Sequence, residues 1–564
     1  MLRYLIPTLL FALMGCQNTA LQPPIGDKQG IATAKADLKN IDDARAAFLA
    51  DKALAKTLPT VLAFENQALQ LLQDEPLKLG AIGTAVIELR PNSLTGHYAL
   101  KKFYEYVETD AGVDTHRQKL DHLYNHIKNS GDGSQKSPYK IVTKNDAAVF
   151  ALLQKNKKIV GEIYQTTESH PLGLMTLARA NPASPLESTV FDLSDLLQPL
   201  ADLGSPQEVD SPWSVLRLFA DENDRAAQAS IGTYLAKQQR YDSATGWLEL
   251  SSRGGNMLAN TLLARIYGYL AGEEATNQSD TIDAPKVSKE EFTRLSIQNH
   301  RQAIALGSVE SMYTLGRLYI ESMSNDAYLK RDIPQGVELL ERAGALGNAR
   351  AYLFLAYQNA SGKLLERDET KANEYFAAAA QLKNPSALIS YARFLVSFNQ
   401  LKPDEQLLPL LTELAAQDNA KAMVALGNLK ALGIGSKMSV RQAVSWYKKA
   451  VRSAQASHHE AADVINEVAW TLTATQIKPL QRSRYAQKIM DAMMEKNPQA
   501  SSHPEYLDTW ANTYAANGDF SKAVALQKQA IASAYAQKRE DILDILNDHL
   551  AKFMAGKVIL EPTP

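Results

Sequence analysis

Cysteine is almost absent from this chain: among 564 residues there is one, Cys16. That excludes an intramolecular disulfide, a CxxC metal or redox motif, and a cysteine nucleophile anywhere downstream. An excess of either charge is also missing. Lys and Arg total 60 against 62 Asp and Glu, a net charge of −2, and no long block of like charges interrupts the balance, so nucleic acid is not an expected partner. Past the first fifteen residues no run reaches the ~18 apolar residues of a membrane-spanning helix. Phosphate-cradling loops of the GxxxxGKS/T or strand-led GxGxxG kind are lacking, as is a GxSxG nucleophile elbow. Without cross-links the fold must hold by burial, which the Ala- and Leu-rich composition supplies if helices pack closely. At ~100–200 residues per domain, the length implies several domains or one long repeat array.

Internal repetition decides between these. The clearest unit runs from Ala422 to Ala450: Ala425-Leu426-Gly427, then Gly433 and Gly435, then Ala443, Trp446-Tyr447 and Ala450. Two short antiparallel helices account for it. Gly427 lets the second helix approach, Gly433 and Gly435 permit the positive φ of the turn, and Ala443 and Ala450 form a small-residue stripe where the helices cross. Leu315-Gly316 with Tyr319, Gly336 and Ala343 repeats the register, as does Leu355-Ala356 with Ala372, Tyr375-Phe376 and Ala379. Leu263-Ala264 with Tyr267, Ser296 and Ala303 repeats it again, with a polar loop at 272–289 inserted. Tighter units run from Gly232 to Ala244 and from Ala511 to Ala523, the latter with Trp510, Tyr514, Gly518-Asp519-Phe520 and Ala530. Asn466–Lys496 and Ser390–Ala416 are weaker copies.

The Ala422–Ala450 unit resembles a Sel-one-like repeat (SLR), and the Leu507–Ala530 unit resembles its relative, the tetratricopeptide repeat (TPR). The resemblance covers about 224–552. It implies a mainly α fold, an α-solenoid of SLR/TPR helix pairs whose exposed first-helix residues meet protein partners. By helix phase, Arg265, Arg317 and Asn428 are the expected partner contacts. Trp446, Trp470 and Trp510 are read as packing.

The front of the chain differs. Residues 31–130 show helical periodicity, with apolar positions at Leu58, Val61, Leu62, Leu69, Ile82, Val86 and Leu89, broken at Pro76 and Pro91. Residues 131–195 open on Ser130-Gly131-Asp132-Gly133-Ser134 and contain β-like runs at Tyr139–Val142, Ile159–Gln165, Leu172–Arg179 and Leu186–Leu193 around one helix, predicting a small α+β module. Repeats then occupy 224–453 and 460–553.

At the extreme front, Arg3 precedes an apolar stretch from Tyr4 to Gly15, too short to cross a ~30 Å hydrocarbon core. Leu13, Gly15 and Cys16 follow the order of a bacterial lipoprotein signal, which this segment resembles. The resemblance implies cleavage after residue 15, recognition through Leu13 and Gly15, and acylation of Cys16. Gln17 in place of an aspartate implies the outer membrane, on its periplasmic face. Residues 16–30 then form a tether, whose Gln17–Gly30 stretch reaches at most about 50 Å.

Chemistry is weakly marked. His122 and His126 sit one helical turn apart with Asp121 beside them, but no intervening Glu or third ligand accompanies them, and a solvated face is the reading. His458-His459-Glu460 reads as a helix boundary. Neither a catalytic site, a metal nor a cofactor is expected. The function so implied is an outer-membrane-anchored periplasmic scaffold that binds envelope proteins, the membrane being reached through lipid on Cys16, with an exopolysaccharide export complex as one setting. A soluble SLR regulatory adaptor without lipid, or an envelope enzyme using the α+β module, stay open.

Overall fold

The computed structural model describes residues 41–182, 184–200, 212–272, 288–322, 328–398, 401–457 and 461–561. Leu13, Gly15 and Cys16, the tether, most of the 272–289 loop and the His458-His459-Glu460 triplet lie outside the described residues. The chain divides into two compact units, Met1–Arg331 and Asp332–Pro564.

In the first unit a short helix, Ile41–Leu49, leads into Leu54–Leu71, Leu79–Leu89, Leu94–Tyr106 and Asp110–Asn129. The breaks fall at Pro76, which opens a 3-10 turn, and at Pro91. Ser93 restarts the helix by accepting the Gly96 N–H at 3.0 Å. Gly83 and Gly96 face each other across this pair: a Cβ on Gly83 would lie 2.7 Å from Leu100 Cγ and 3.2 Å from the Gly96 carbonyl oxygen.

The small module follows, with β1 (Tyr139–Lys140), a helix (Lys144–Leu153), β2 (Lys158–Gln165), β3 (Gly173–Arg179) and β4 (Glu187–Asp192). Strand order is β1-β4-β3-β2, β1 running parallel to β4 and the other pairs antiparallel. Phe150 stacks on Tyr124 of Asp110–Asn129 at 4.8 Å and meets Phe191 edge-on at 5.6 Å. A single apolar core therefore runs from Phe48 through the sheet to Ala227. The outer edge of β2 is not left open. The Glu162 N–H donates to Asn256 Oδ1 at 3.2 Å and the Tyr164 N–H to Ser230 Oγ at 2.8 Å, while Asn256 Nδ2 returns a bond to the Glu162 carbonyl at 2.8 Å. Side chains of the repeats continue the β ladder.

Helix Trp213–Asp221 then leads to the pairs Arg225–Lys237 with Tyr241–Arg253 and Met257–Gly272 with Lys289–Ala305, and Val309–Glu321 closes the unit.

The second unit opens on Ile333–Ala345. It continues as the pairs Ala349–Ser361 with Glu369–Gln381, Pro385–Ser397 with Leu407–Ala416, Ala420–Leu432 with Val440–Ser457, Ala461–Ala474 with Ser483–Lys496, and Pro504–Ala515 with Phe520–Ala536, ending on Leu543–Met554. These are stacked helix pairs of the SLR/TPR kind, the mainly α solenoid architecture with one small sheet that the repeats predict. After the last helix the chain turns back: the Ile559 N–H donates to Asn512 Oδ1 at 3.2 Å, the Gln476 N–H to the Glu561 carbonyl at 3.0 Å, and the Trp470 indole to Glu561 Oε2 at 3.0 Å.

One device recurs at six handovers from one helix to the first helix of the next pair. Asn223, Gly255, Gly307, Gly347, Lys383 and Asp418 adopt positive φ, from 54° to 100°. Each is followed by a side chain that caps the next helix: Asp224, Asn256, Ser308, Asn348, Asn384 or Asn419 accepts a backbone N–H two or three residues on.

Within pairs, a small residue admits a large one. A Cβ on Gly427 would stand 2.4 Å from the Tyr447 ring, and one on Gly232 would stand 2.6 Å from Leu248 Cγ. Gly427→Ala is therefore expected to lower the second unit's stability by about 1–3 kcal/mol in urea unfolding. Gly246→Ala is the control, since nothing lies within 4 Å of a Cβ there, and it should stabilise by about 0.5–1 kcal/mol. Equal, small shifts in both variants would contradict the close approach.

Candidate functional site

The three expected partner contacts fare differently. Arg265 is exposed on Met257–Gly272. Arg317 is half-buried and already engaged, its guanidinium 2.6 Å from Glu321 and stacked over the Tyr313 ring at 5.7 Å. Asn428 corrects the expectation, because it is only 6% exposed and accepts the Tyr447 hydroxyl at 2.7 Å. Its helix has no solvent face over this stretch: every residue from Ala422 to Leu429 is buried. Asn428 serves the pairing of the two helices and leaves no side chain for a partner.

Acids and histidines do assemble in the first unit, in sealed clusters. Arg90 donates from both terminal nitrogens to Asp146, at 2.7 and 2.8 Å, and to Glu65 Oε1 at 2.5 Å. Ser93 and Thr143 hydroxyls donate to the Glu65 oxygens at 2.8 and 2.7 Å. Burial opposes the Arg90 charge, but Asp146 and Glu65 outweigh it and hold the guanidinium charged. Beside the sheet, Lys144 reaches Asp224 at 3.2 Å, Arg225 reaches Glu162 at 2.7 Å, and the Tyr164 hydroxyl donates to Asp224 at 3.1 Å. These groups tie sheet to helices. Their carboxylates are spent on buried cations and hydroxyls.

His97 lies against His116, Nδ1 to Nδ1 at 3.0 Å, with His97 Nε2 2.9 Å from the Pro91 carbonyl. A carbonyl only accepts, so His97 carries its proton on Nε2, and its Nδ1 accepts from His116. Of the two histidines weighed for metal, His122 is exposed and His126 Nε2 lies 3.1 Å from Asp42. Among the described residues no cluster of three or more His, Cys, Asp or Glu side chains is arranged to hold a metal.

An open site exists in the second unit. A groove of about 810 Å³ is lined by Thr412, Ala415, Ala416 and Asp418 on one side, Met423 below, and Trp446, Lys449, Arg452 and Ser453 on the other. Pairing fixes its chemistry. Tyr447 is fully buried against Gly427, which rotates Trp446 outward to a half-buried position. Lys449 and Ser453 follow at helical spacing on the same side, and Lys449 Nζ sits 4.5 Å from the Trp446 ring centroid. The Ser453 hydroxyl donates to the Asp418 carbonyl at 2.6 Å and fixes the rim. Trp446 packs against the core, as read from sequence, and its outward part also lines this surface site. Trp470 and Trp510 pack against the same core, and each also has its indole N–H bonded to a carboxylate, Glu561 and Asp491 respectively. The signal that separates the three tryptophans is the run Trp446, Lys449, Ser453 at i, i+3, i+7, which marks one face one residue away from the buried Tyr447.

No family model matches the chain, and no curated protein matches it. Among solved structures it is similar to a Sel1 repeat protein from Oxalobacter formigenes, at 20% identity over 58% of this chain and 90% of that one, TM-score 0.38. It is also similar to c5321, a protective antigen present in uropathogenic Escherichia coli strains displaying an SLR fold (14% identity, 65% and 85% covered, TM-score 0.32). Yeast Tom70 is similar at 12% identity, with 90% and 88% covered and a TM-score of 0.32.

Two outcomes follow from the buried clusters. Arg90→Ala strands two buried carboxylates and is expected to cost about 3–5 kcal/mol in equilibrium unfolding; a loss below 1 kcal/mol would contradict the cluster. His97, and His300 buried on Lys289–Ala305, are both pushed down to about 4, His97 by burial and then by His116, His300 by burial. Their folded pKa values lie below the ~6.5 of an unfolded chain. Their contribution is therefore complete above pH ~6.5 and is lost as pH falls toward 4, about 2 kcal/mol for each by pH 5. Urea midpoints measured from pH 7.5 to 5 should fall, and His97→Gln should flatten the profile; an unchanged slope in that variant would exclude the role given to His97.

Proposed function

We propose that this protein is a non-catalytic scaffold that binds protein partners through its helix-pair array and is held at the outer membrane, on the periplasmic face, by lipid on Cys16. The observation that carries the binding reading is the groove on Val440–Ser457. It sets the half-buried Trp446 among exposed cations, in an array where Trp470 and Trp510 are already bonded to carboxylates. The array suits such a role because stacked helix pairs present long surfaces while each pair needs only its neighbours for stability. The lipid reading rests on Arg3, the apolar stretch from Tyr4 to Gly15, and Leu13-Met14-Gly15-Cys16. Two or more acyl chains on Cys16 anchor stably where one alone is marginal. Recruitment of partners to an envelope assembly, such as an exopolysaccharide export complex, is the setting that this address and this fold suit.

The test is labelling and fractionation in a Gram-negative host. The native chain should incorporate labelled palmitate and sediment with outer membranes. Cys16→Ser should lose the label and become soluble, with an unchanged thermal transition. Sedimentation of Cys16→Ser with membranes would overturn the anchor.

A further inference from the structure

The charge on the groove helix is unlike that on the rest of the array. Val440–Ser457 carries Arg441, Lys448, Lys449 and Arg452 and not one carboxylate, in a chain whose net charge is −2. All four cations are exposed, and none has a carboxylate partner among the described residues. Several arginines elsewhere are paired: the half-buried Arg317 with Glu321 and Arg539 with Glu505 and Asp541, and the exposed Arg393 with Glu467. On the groove helix three of the four cations turn instead to π faces and carbonyls. Lys449 lies over Trp446, Lys448 over Tyr485 at 5.5 Å, and the Arg452 Nε–H donates to the Lys448 carbonyl at 3.3 Å. Arg452 keeps its terminal N–H groups for a planar acceptor.

Resting on the scaffold reading, we infer that the groove binds an acidic segment of a partner protein that carries a large apolar side chain. Ala415, Ala416, Met423 and the part of Trp446 that lines the groove take the apolar group. Lys449 and Arg452, one turn apart, take the flanking carboxylates, as an ammonium and a guanidinium fork suit. The Thr412 hydroxyl already donates to the Leu408 carbonyl at 2.7 Å, so it meets a ligand as an acceptor of a backbone N–H. Asp418 is the single acidic residue of the lining. It turns away a basic segment and leaves the cationic wall opposite as the attractive side. The volume lies in the ~300–1,000 Å³ range of small binding sites, enough for a short stretch of chain and too little for a folded domain. A nucleic acid would draw on many more cations than this wall offers.

The test uses the full-length chain and a fluorescein-labelled dodecapeptide of Asp and Glu with one central Phe, read by anisotropy at 50 mM salt. Saturable binding is expected, weakened at least tenfold by Lys449→Glu with Arg452→Glu and at least fivefold by Trp446→Ala. The same peptide with Ala for Phe should bind at least fivefold more weakly. Lys449→Glu alone, a surface change, keeps the test valid if Trp446→Ala alters folding, which thermal melts report. Equal affinity for the charge-reversed variant overturns the assignment, and so does tighter, Trp446-dependent binding of polyuronate or of phosphatidylglycerol vesicles. If the peptide fails while crosslinkers at Arg265 still capture a protein, the groove assignment falls and the scaffold reading stands; if the array captures only polysaccharide or lipid, both fall.

Discussion

Close approach of paired helices at small residues is the constraint on which the rest of this molecule depends. Where Gly427 admits Tyr447, the ring is sealed, its hydroxyl finds Asn428, and the rotation of Val440–Ser457 is thereby set. That rotation alone turns Trp446, Lys449 and Ser453 outward. Gly232 against Leu248, and Gly83 with Gly96, fix other pairs in the same way. A methyl group at such a position would move a helix axis, and everything presented by its outer face would move with it. Surface chemistry here is a consequence of buried geometry.

The sheet is joined to the helices by a second kind of contact, ionic and hydrogen-bonded. Arg90 gathers Glu65 and Asp146 from segments 25 and 56 residues away, while Asn256 and Ser230 close the β2 edge. Such clusters contribute less to net stability than their number of bonds suggests, because desolvation offsets much of the attraction; what they impose is a unique arrangement that few alternatives satisfy. A module latched along its strand edge and through a shared core becomes part of the first unit's body. The returning tail has a comparable place in the second unit, where Ile559 and Glu561 occupy backbone and side-chain partners on Ala461–Ala474 and Pro504–Ala515. That surface is taken. The groove beside Trp446 is open.

Much of this was legible in the residues because local physics writes it there. Alternating runs at Ile159–Gln165 and Leu172–Arg179 became β2 and β3 to within a residue, and helices end ahead of Pro76 and Pro91 as the missing N–H favours, although Leu54–Leu71 carries Pro59 inside it. Glycine spacing located the pair Ala420–Leu432 with Val440–Ser457. Asn428 was misread because helix phase tells which residues share a face but not whether a neighbouring repeat covers it. The Arg90 cluster was invisible for a related reason: its members are distant in sequence and each is an ordinary surface residue by type. The handover device could have been read, since a residue tolerant of positive φ followed by Asn, Asp or Ser precedes several first helices, but Lys383 and Asp418 in that role hide it. Trp446 needed only its neighbours to be phased against Tyr447.

The central claim is that a partner protein docks on the outward face that this pairing sets. Its most direct test is site-specific photocrosslinking in living cells, with p-benzoylphenylalanine replacing Ser453 inside the groove or Gln455, which lies outside the groove lining. The account predicts a discrete protein adduct from position 453, mapped by mass spectrometry to an acidic segment, and abolished when Lys449→Glu and Arg452→Glu are added. Adducts of equal yield and identity from positions 453 and 455, or an adduct at 453 that survives the charge reversal, would contradict it.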